Sequence, residues 1–278
     1  MTRPLRIDGA AWVALAALLC AGAAVVTALS LDGGADPVAS PVALALDWQP
    51  ALGLGQAWRL WTGAWVHWSV AHLLVNAAGA TVLAFVGWRA RLSAAAALAW
   101  FAAWPLTHAF MAAAGADRLA ALMPHYGGLS GVLHAGAIVL GLTLAWPPER
   151  APASARRPAA PADTGFASTH ASAIEPSRIT EGPWAMTEMG GATVMPASTL
   201  ELPPASPAVD DGSLRARWIG VAIVVGTFAK VALEAPWHLA PRPSELLGIA
   251  VAPVAHACGI VAGVLAWAGV RVASGGRR

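Results

Sequence analysis

Residues 11–30 read AWVALAALLCAGAAVVTALS, twenty positions without a charge, shortly after the basic opening MTRPLR. At 1.5 Å rise per residue such a run reaches about 30 Å as a helix, the thickness of a bilayer's hydrocarbon core. Alone it would suit a cleaved signal peptide, but it is longer than a usual signal h-region. Comparable runs follow at 67–88, 92–114, 127–146, 218–239 and 246–272. The first run, 10–30, is therefore expected to remain as a span. The fold class that follows is all-α: a polytopic membrane protein with six transmembrane helices.

Composition points the same way. Of 278 residues, 57% are hydrophobic and only 12% charged, against about 25% charged in a soluble domain. Apolar runs of this length exclude both a soluble globule and general disorder. The 17 basic residues are scattered rather than clustered, so no nucleic-acid partner is expected; lipid is. Cys20 and Cys258 each sit inside an apolar run and read as small packing residues. Neither a metal site nor a cofactor is expected.

Basic residues orient the spans. With a cytoplasmic N-terminus, the inside segments hold Arg3, Arg6, Arg89, Arg91, Arg150, Arg156, Arg157, Arg178, Arg215, Arg217, Arg271, Arg277 and Arg278, and the outside segments only Arg59, Arg118 and Arg242. This bias predicts both termini in the cytoplasm of a multi-pass protein of the bacterial inner membrane. Residues 150–216, rich in Ala, Pro, Ser and Thr, read as a disordered cytoplasmic linker between a first part, 1–149, and a second, 217–278. On the other side, residues 31–66 carry WQPALGLGQAWRLWTGAW; their tryptophans are expected at the headgroup level, with the loop lying along the outer surface.

Polar residues inside apolar runs invite a functional reading, because an ionisable side chain in hydrocarbon costs about 2.5–3.5 kcal/mol even on lenient scales. The second run opens WVHWSVAHLLVNAAG, with His67, His72 and Asn76; the last two are four apart and share a helix face. The fourth opens YGGLSGVLHAG, with Ser130 among glycines and His134 one turn on. The sixth contains PVAHACGIVAG, with His256 before Gly259 and Gly263, a small-residue face for close helix packing. Serine needs a base and oxyanion donors to act as a nucleophile. These runs supply the set: Ser130 as nucleophile, His256 as base, and Asn76, His72 and the Ser130 backbone amide as donors. Each feature also has a plain packing explanation. Lys230 and Glu234, i and i+4 on the fifth run, read either as an intrahelical ion pair or as contacts to a substrate backbone.

Taken together, the order and wording of these motifs resemble the rhomboid intramembrane serine proteases, over 58–269 apart from the linker. Trp58 and Arg59 look like the family's first-loop motif. His67, His72 and Asn76 match HxxxxHxxxN; Gly128, Ser130 and Gly131 match GxSG; Ala255, His256, Gly259 and Gly263 match AHxxGxxxG. The resemblance implies a six-helix rhomboid bundle and a Ser130–His256 dyad without an acidic third member. His72, Asn76 and the Ser130 amide would line the oxyanion hole. Within the family the chain is most similar to the rhombosortases, whose serine motif reads like GLSGVLH and whose fifth span carries a lysine and a glutamate, here His134, Lys230 and Glu234. His134 stands where other rhomboids often have a tyrosine packed on the catalytic histidine.

That subgroup implies endopeptidase cleavage of C-terminal sorting segments of exported proteins: a GlyGly-type motif, an apolar helix and a basic tail. Transmembrane or C-terminally anchored proteins would be the substrates. The alternatives are a general rhomboid protease of transmembrane substrates and a non-catalytic rhomboid-like protein that binds such clients. A cytochrome of another class would use His72 or His108 with His134 or His256 as haem ligands, but leaves Ser130 and Asn76 without a role.

Overall fold

In the computed structural model the described residues are 9–31, 40–147 and 211–275. Their order is α1 (Ala10–Leu31), α2 (Pro41–Leu46), α3 (Arg59–Thr62), α4 (Val70–Arg89), α5 (Ala94–Ala113), α6 (Ala116–Leu122), α7 (Ser130–Ala145), α8 (Asp211–Leu233), β1 (Arg242–Ser244), β2 (Ile249–Val251) and α9 (Pro253–Gly275). Five helices, α1, α4, α5, α8 and α9, are long and apolar enough to cross a membrane. The helix over the fourth run, α7, has 16 residues, about 24 Å of rise against a slab of about 30 Å.

Local chemistry sets the helix ends inside the apolar runs. Ser69, extended, accepts the His72 N–H at 3.1 Å and caps α4, so the helix starts three residues after the expected 67. Ser93 caps α5 in the same way. Glu234 follows the last turn of α8; the left-handed Ala235 and then Pro236 stop it well before the expected 239. The run expected to be helical from 246 first supplies the turn and second strand of a hairpin, β2 paired with β1, and only Pro253, suited to a first helical turn, begins α9. Residues 150–210 of the expected linker lie outside the described residues. Its last positions, 211–216, are instead helical: they form the first turns of α8, with Asp211 at the positive end of the helix dipole.

The shortest of these apolar helices is the central one. Along α7, residues on every side are buried, from Gly131 and Val132 to Ile138, Val139 and Gly141, and α4, α5, α8 and α9 all pack against it. Indole groups close the interior. Trp100 donates Nε1–H to the Val132 carbonyl at 2.9 Å, and Trp12 to Leu83 at 2.8 Å, which satisfies their polar atoms in an apolar core.

The tryptophans of the connection before α4 are held by contacts within the protein. Trp48 is fully buried, and its backbone pairs with Tyr126 in both directions at 2.8 Å. Trp61 and Trp65 stand edge-on against Trp104 of α5, at 5.2 and 5.4 Å between ring centroids. Only Trp58 of this group is largely exposed. The aromatic face of α5 gives these rings apolar area to bury against. Arg59 anchors the connection: its Nη1 donates to Asp47 Oδ1 at 2.8 Å and to the Asp47 carbonyl at 2.6 Å. Asp47 is wholly buried, and its other carboxylate oxygen accepts His125 Nδ1 at 2.6 Å.

Candidate active site

Helix ends converge on one cavity of about 1010 Å³. Ser130 is the first residue of α7, His256 the fourth of α9, His72 the third of α4, and Glu234 follows α8 directly. All four line the cavity, with Asn76, His134 and Lys230. The chain reaches this arrangement through glycine. Gly128 has φ +135°, and a side chain there would meet His72 Cε1 at 2.6 Å, so only glycine brings the loop before Ser130 beneath the His72 ring. Deeper, a Cβ on Gly259 would overlap the Gly131 carbonyl, and one on Gly263 would come within 2.7 Å of the Ala135 carbonyl. Gly259 and Gly263 thus lie where α9 approaches α7 most closely, one and two turns beyond His256.

Ser130 is half-buried at the cavity wall. Its backbone N–H, at the first position of a helix, has no intrahelical acceptor. Ser69, a serine just before α4, is committed: besides capping α4 it donates to the Leu247 carbonyl at 2.5 Å. That bond ties the start of α4 to the turn of the hairpin, whose second strand borders the cavity.

His256 is buried, and its two ring nitrogens differ. Nδ1 lies 2.6 Å from Glu234 Oε2, whereas Nε2 has no hydrogen-bond partner. A carboxylate can only accept, so the proton sits on Nδ1 and Nε2 carries the lone pair. His134 stacks on this ring, 4.2 Å between centroids and 18° from parallel, and its own Nδ1 donates to the Ser130 carbonyl at 2.6 Å. Lys230 Nζ donates to Glu234 Oε1 at 2.6 Å, the ion pair expected from their spacing. The link from Glu234 on to His256 was not expected. It sets a carboxylate against Nδ1 of His256, a contact that the resemblance did not imply.

Asn76 and His72 face the same space, and His67 has a part that the sequence reading left out. Its Nδ1 donates to the Trp65 carbonyl at 3.1 Å, which leaves Nε2 to accept one Asn76 Nδ2 hydrogen at 3.0 Å. The amide of Asn76 is thereby oriented with a second N–H to spare. His72 packs against His67, 4.6 Å between ring centroids, and its Nδ1 has no partner. His108 stands apart. Its Nδ1 donates to the Leu60 carbonyl at 2.7 Å and its ring packs between Trp48 and Tyr126, so it does not share the cavity with the other candidate haem ligands. Among the described residues no three His, Cys, Asp or Glu side chains converge as a metal site.

The arrangement offers a hydroxyl, a base nitrogen with a free lone pair, and several N–H groups not already used, in one cavity bounded by apolar helices. Comparison with family models, curated proteins and solved structures returns no match.

Proposed function

We propose that this chain is a rhomboid-type intramembrane serine endopeptidase that removes C-terminal sorting segments of exported proteins, at a GlyGly-type motif near the outer face of the bacterial inner membrane. The observation that carries the reading is the shared cavity of Ser130 and of a buried His256 whose Nε2 lacks a partner. A buried nitrogen without a partner is costly, and a serine hydroxyl presented by α7 is the group it would serve. In this reading α1, α4, α5, α7, α8 and α9 make the six-helix bundle with both termini cytoplasmic. On the same reading the 16-residue α7 would start below the outer surface, with the cavity open to water and an extended peptide.

Chemistry follows from the atoms. His256 Nε2 takes the Ser130 Oγ proton as the oxygen attacks the scissile carbonyl. The tetrahedral oxyanion accepts from the spare Asn76 N–H, from His72 and from the Ser130 amide, donors already in place when charge develops. His256 then gives its proton to the leaving amine. Water, or an amine acceptor in a transfer reaction, resolves the acyl-enzyme by the reverse steps. A GlyGly motif suits such a site because each glycine lowers the cost of unwinding a helix by about 1 kcal/mol relative to alanine.

The test is coexpression with an exported protein ending in GlyGly, an apolar helix and an arginine-rich tail. Loss of the tail, located by mass spectrometry of the mature C-terminus, is expected with the intact chain and not with Ser130→Ala; GlyGly→LeuLeu in the substrate blocks it. Tail removal that persists with Ser130→Ala refutes the nucleophile. Cleavage of a generic transmembrane segment, with the GlyGly substrate left intact, replaces the sorting role by that of a general rhomboid protease.

A further inference from the structure

We propose that Glu234 is the positioning residue of the catalytic base: it fixes the tautomer of His256 and stabilises its charged form, so that the chain works with a Ser130–His256–Glu234 relay. This rests on the reading of Ser130 as nucleophile and His256 as base.

A surface ion pair would need only one oxygen of Glu234. Here both are engaged: Oε1 accepts from Lys230 Nζ and Oε2 from His256 Nδ1, each at 2.6 Å. The second partner is 22 residues away on another helix, with a side chain only 4% exposed. Backbone geometry holds the carboxylate in place. The Glu234 N–H bonds the Lys230 and Val231 carbonyls at 3.2 and 3.1 Å, and the left-handed turn at Ala235 leads the chain into a short 3-10 helix packed on α9. The groups facing His256 are Glu234 and Lys230 from α8 and its end, His134 from α7 and His72 from α4. His134 cannot accept from Nδ1 of His256, because it stacks face to face with that ring. Glu234 is the one anionic group of this set.

The consequence for the reaction is specific. With Nδ1–H held by the carboxylate, Nε2 is the nitrogen free to take the Ser130 proton. The imidazolium that results lies 2.6 Å from an anion in surroundings that otherwise disfavour charge. Glu234 takes no proton itself. Lys230 fixes the carboxylate rotamer and tempers its charge.

Nitrogen NMR of the full chain labelled with ¹⁵N-histidine in detergent, together with steady-state cleavage, tests this. In the unmodified protein His256 is expected with its proton on Nδ1. Glu234→Gln should lower kcat and the rate of fluorophosphonate labelling by about 100-fold or more, change KM less than threefold, and disturb the nitrogen signature of His256. Glu234→Asp should recover part of the loss, and Lys230→Met should cost less than tenfold. An Nε2–H tautomer in the unmodified protein overturns the proposal, even if Glu234→Gln fails to accumulate. So does Glu234→Gln at a rate within threefold of the parent, or Lys230→Met with an equal loss, since then the ion pair matters only as structure. Failure of the underlying reading looks different: Ser130→Ala would still cleave, whatever tautomer His256 adopts.

Discussion

Replacing Gly259 by alanine puts the seam between α7 and α9 under direct test. The added Cβ would overlap the Gly131 carbonyl oxygen and lie 2.9 Å from its carbon and 3.3 Å from its Cα. The three nearest atoms are all backbone, so no rotamer change relieves it, and the two helices must part by about 1.4 Å to restore ordinary contact. Gly131 adjoins Ser130, and Gly259 lies one turn beyond His256, so the separation opens where hydroxyl and imidazole must meet. A displacement of about 1 Å at reacting groups costs roughly 100-fold in rate. Overpacking of this kind lowers stability by about 1–3 kcal/mol. Gly263→Ala, which needs relief of about 0.7 Å at the Ala135 carbonyl one turn deeper, should destabilise similarly but slow cleavage only about tenfold. The assay is thermal unfolding in detergent beside fluorophosphonate labelling and substrate cleavage. If Gly259→Ala unfolds at the parent temperature and cleaves at the parent rate, the close approach of α7 and α9 does not set the geometry of the dyad.

Other perturbations separate the remaining parts of the site. Asn76→Ala should lower kcat by about 10²–10³-fold with little effect on KM, and His67→Ala by a smaller factor through the same amide, both read from initial cleavage rates. Asp47→Asn removes the anion shared by Arg59 and His125 and should destabilise the fold by about 3–5 kcal/mol; limited proteolysis should then cut first in residues 40–66. Ser69→Ala loses the α4 cap, about 1 kcal/mol, and frees the hairpin turn at Leu247, which hydrogen exchange of residues 244–251 would register as faster exchange.

Much of this was legible because a bilayer imposes long apolar runs on the chain, and the positions of α1, α4, α5, α8 and α9 follow from those runs. Less legible were the ends. The stretch IAVAP reads as the start of a span, yet it holds half of a hairpin, since short apolar strands and helices share a composition. The packing of Trp48, Trp61 and Trp65 was not legible either, because the rings they meet on α5 and at Tyr126 are distant in sequence. Within the site, Ser130, His256, His72 and Asn76 could be grouped by their residue types and glycine spacing. The Glu234 link to His256 could not, because its spacing to Lys230 already supplies a sufficient partner and the turn that redirects the carboxylate lies in a left-handed alanine.

The order of elements also divides the chemistry between two stretches of chain. Ser130, Asn76 and His72 precede Trp146; Glu234 and His256 follow Asp211. The stretches meet through Gly141 and Gly220, where a Cβ on Gly220 would stand 2.5 Å from the Gly141 carbonyl, and through the seam at Gly131 and Gly259. Under the proposed reaction neither stretch holds both nucleophile and base, so each alone would be inert. Expressed as two separate polypeptides, they would regain activity only by complementation, and proteolysis would then report that two membrane-embedded fragments had found each other.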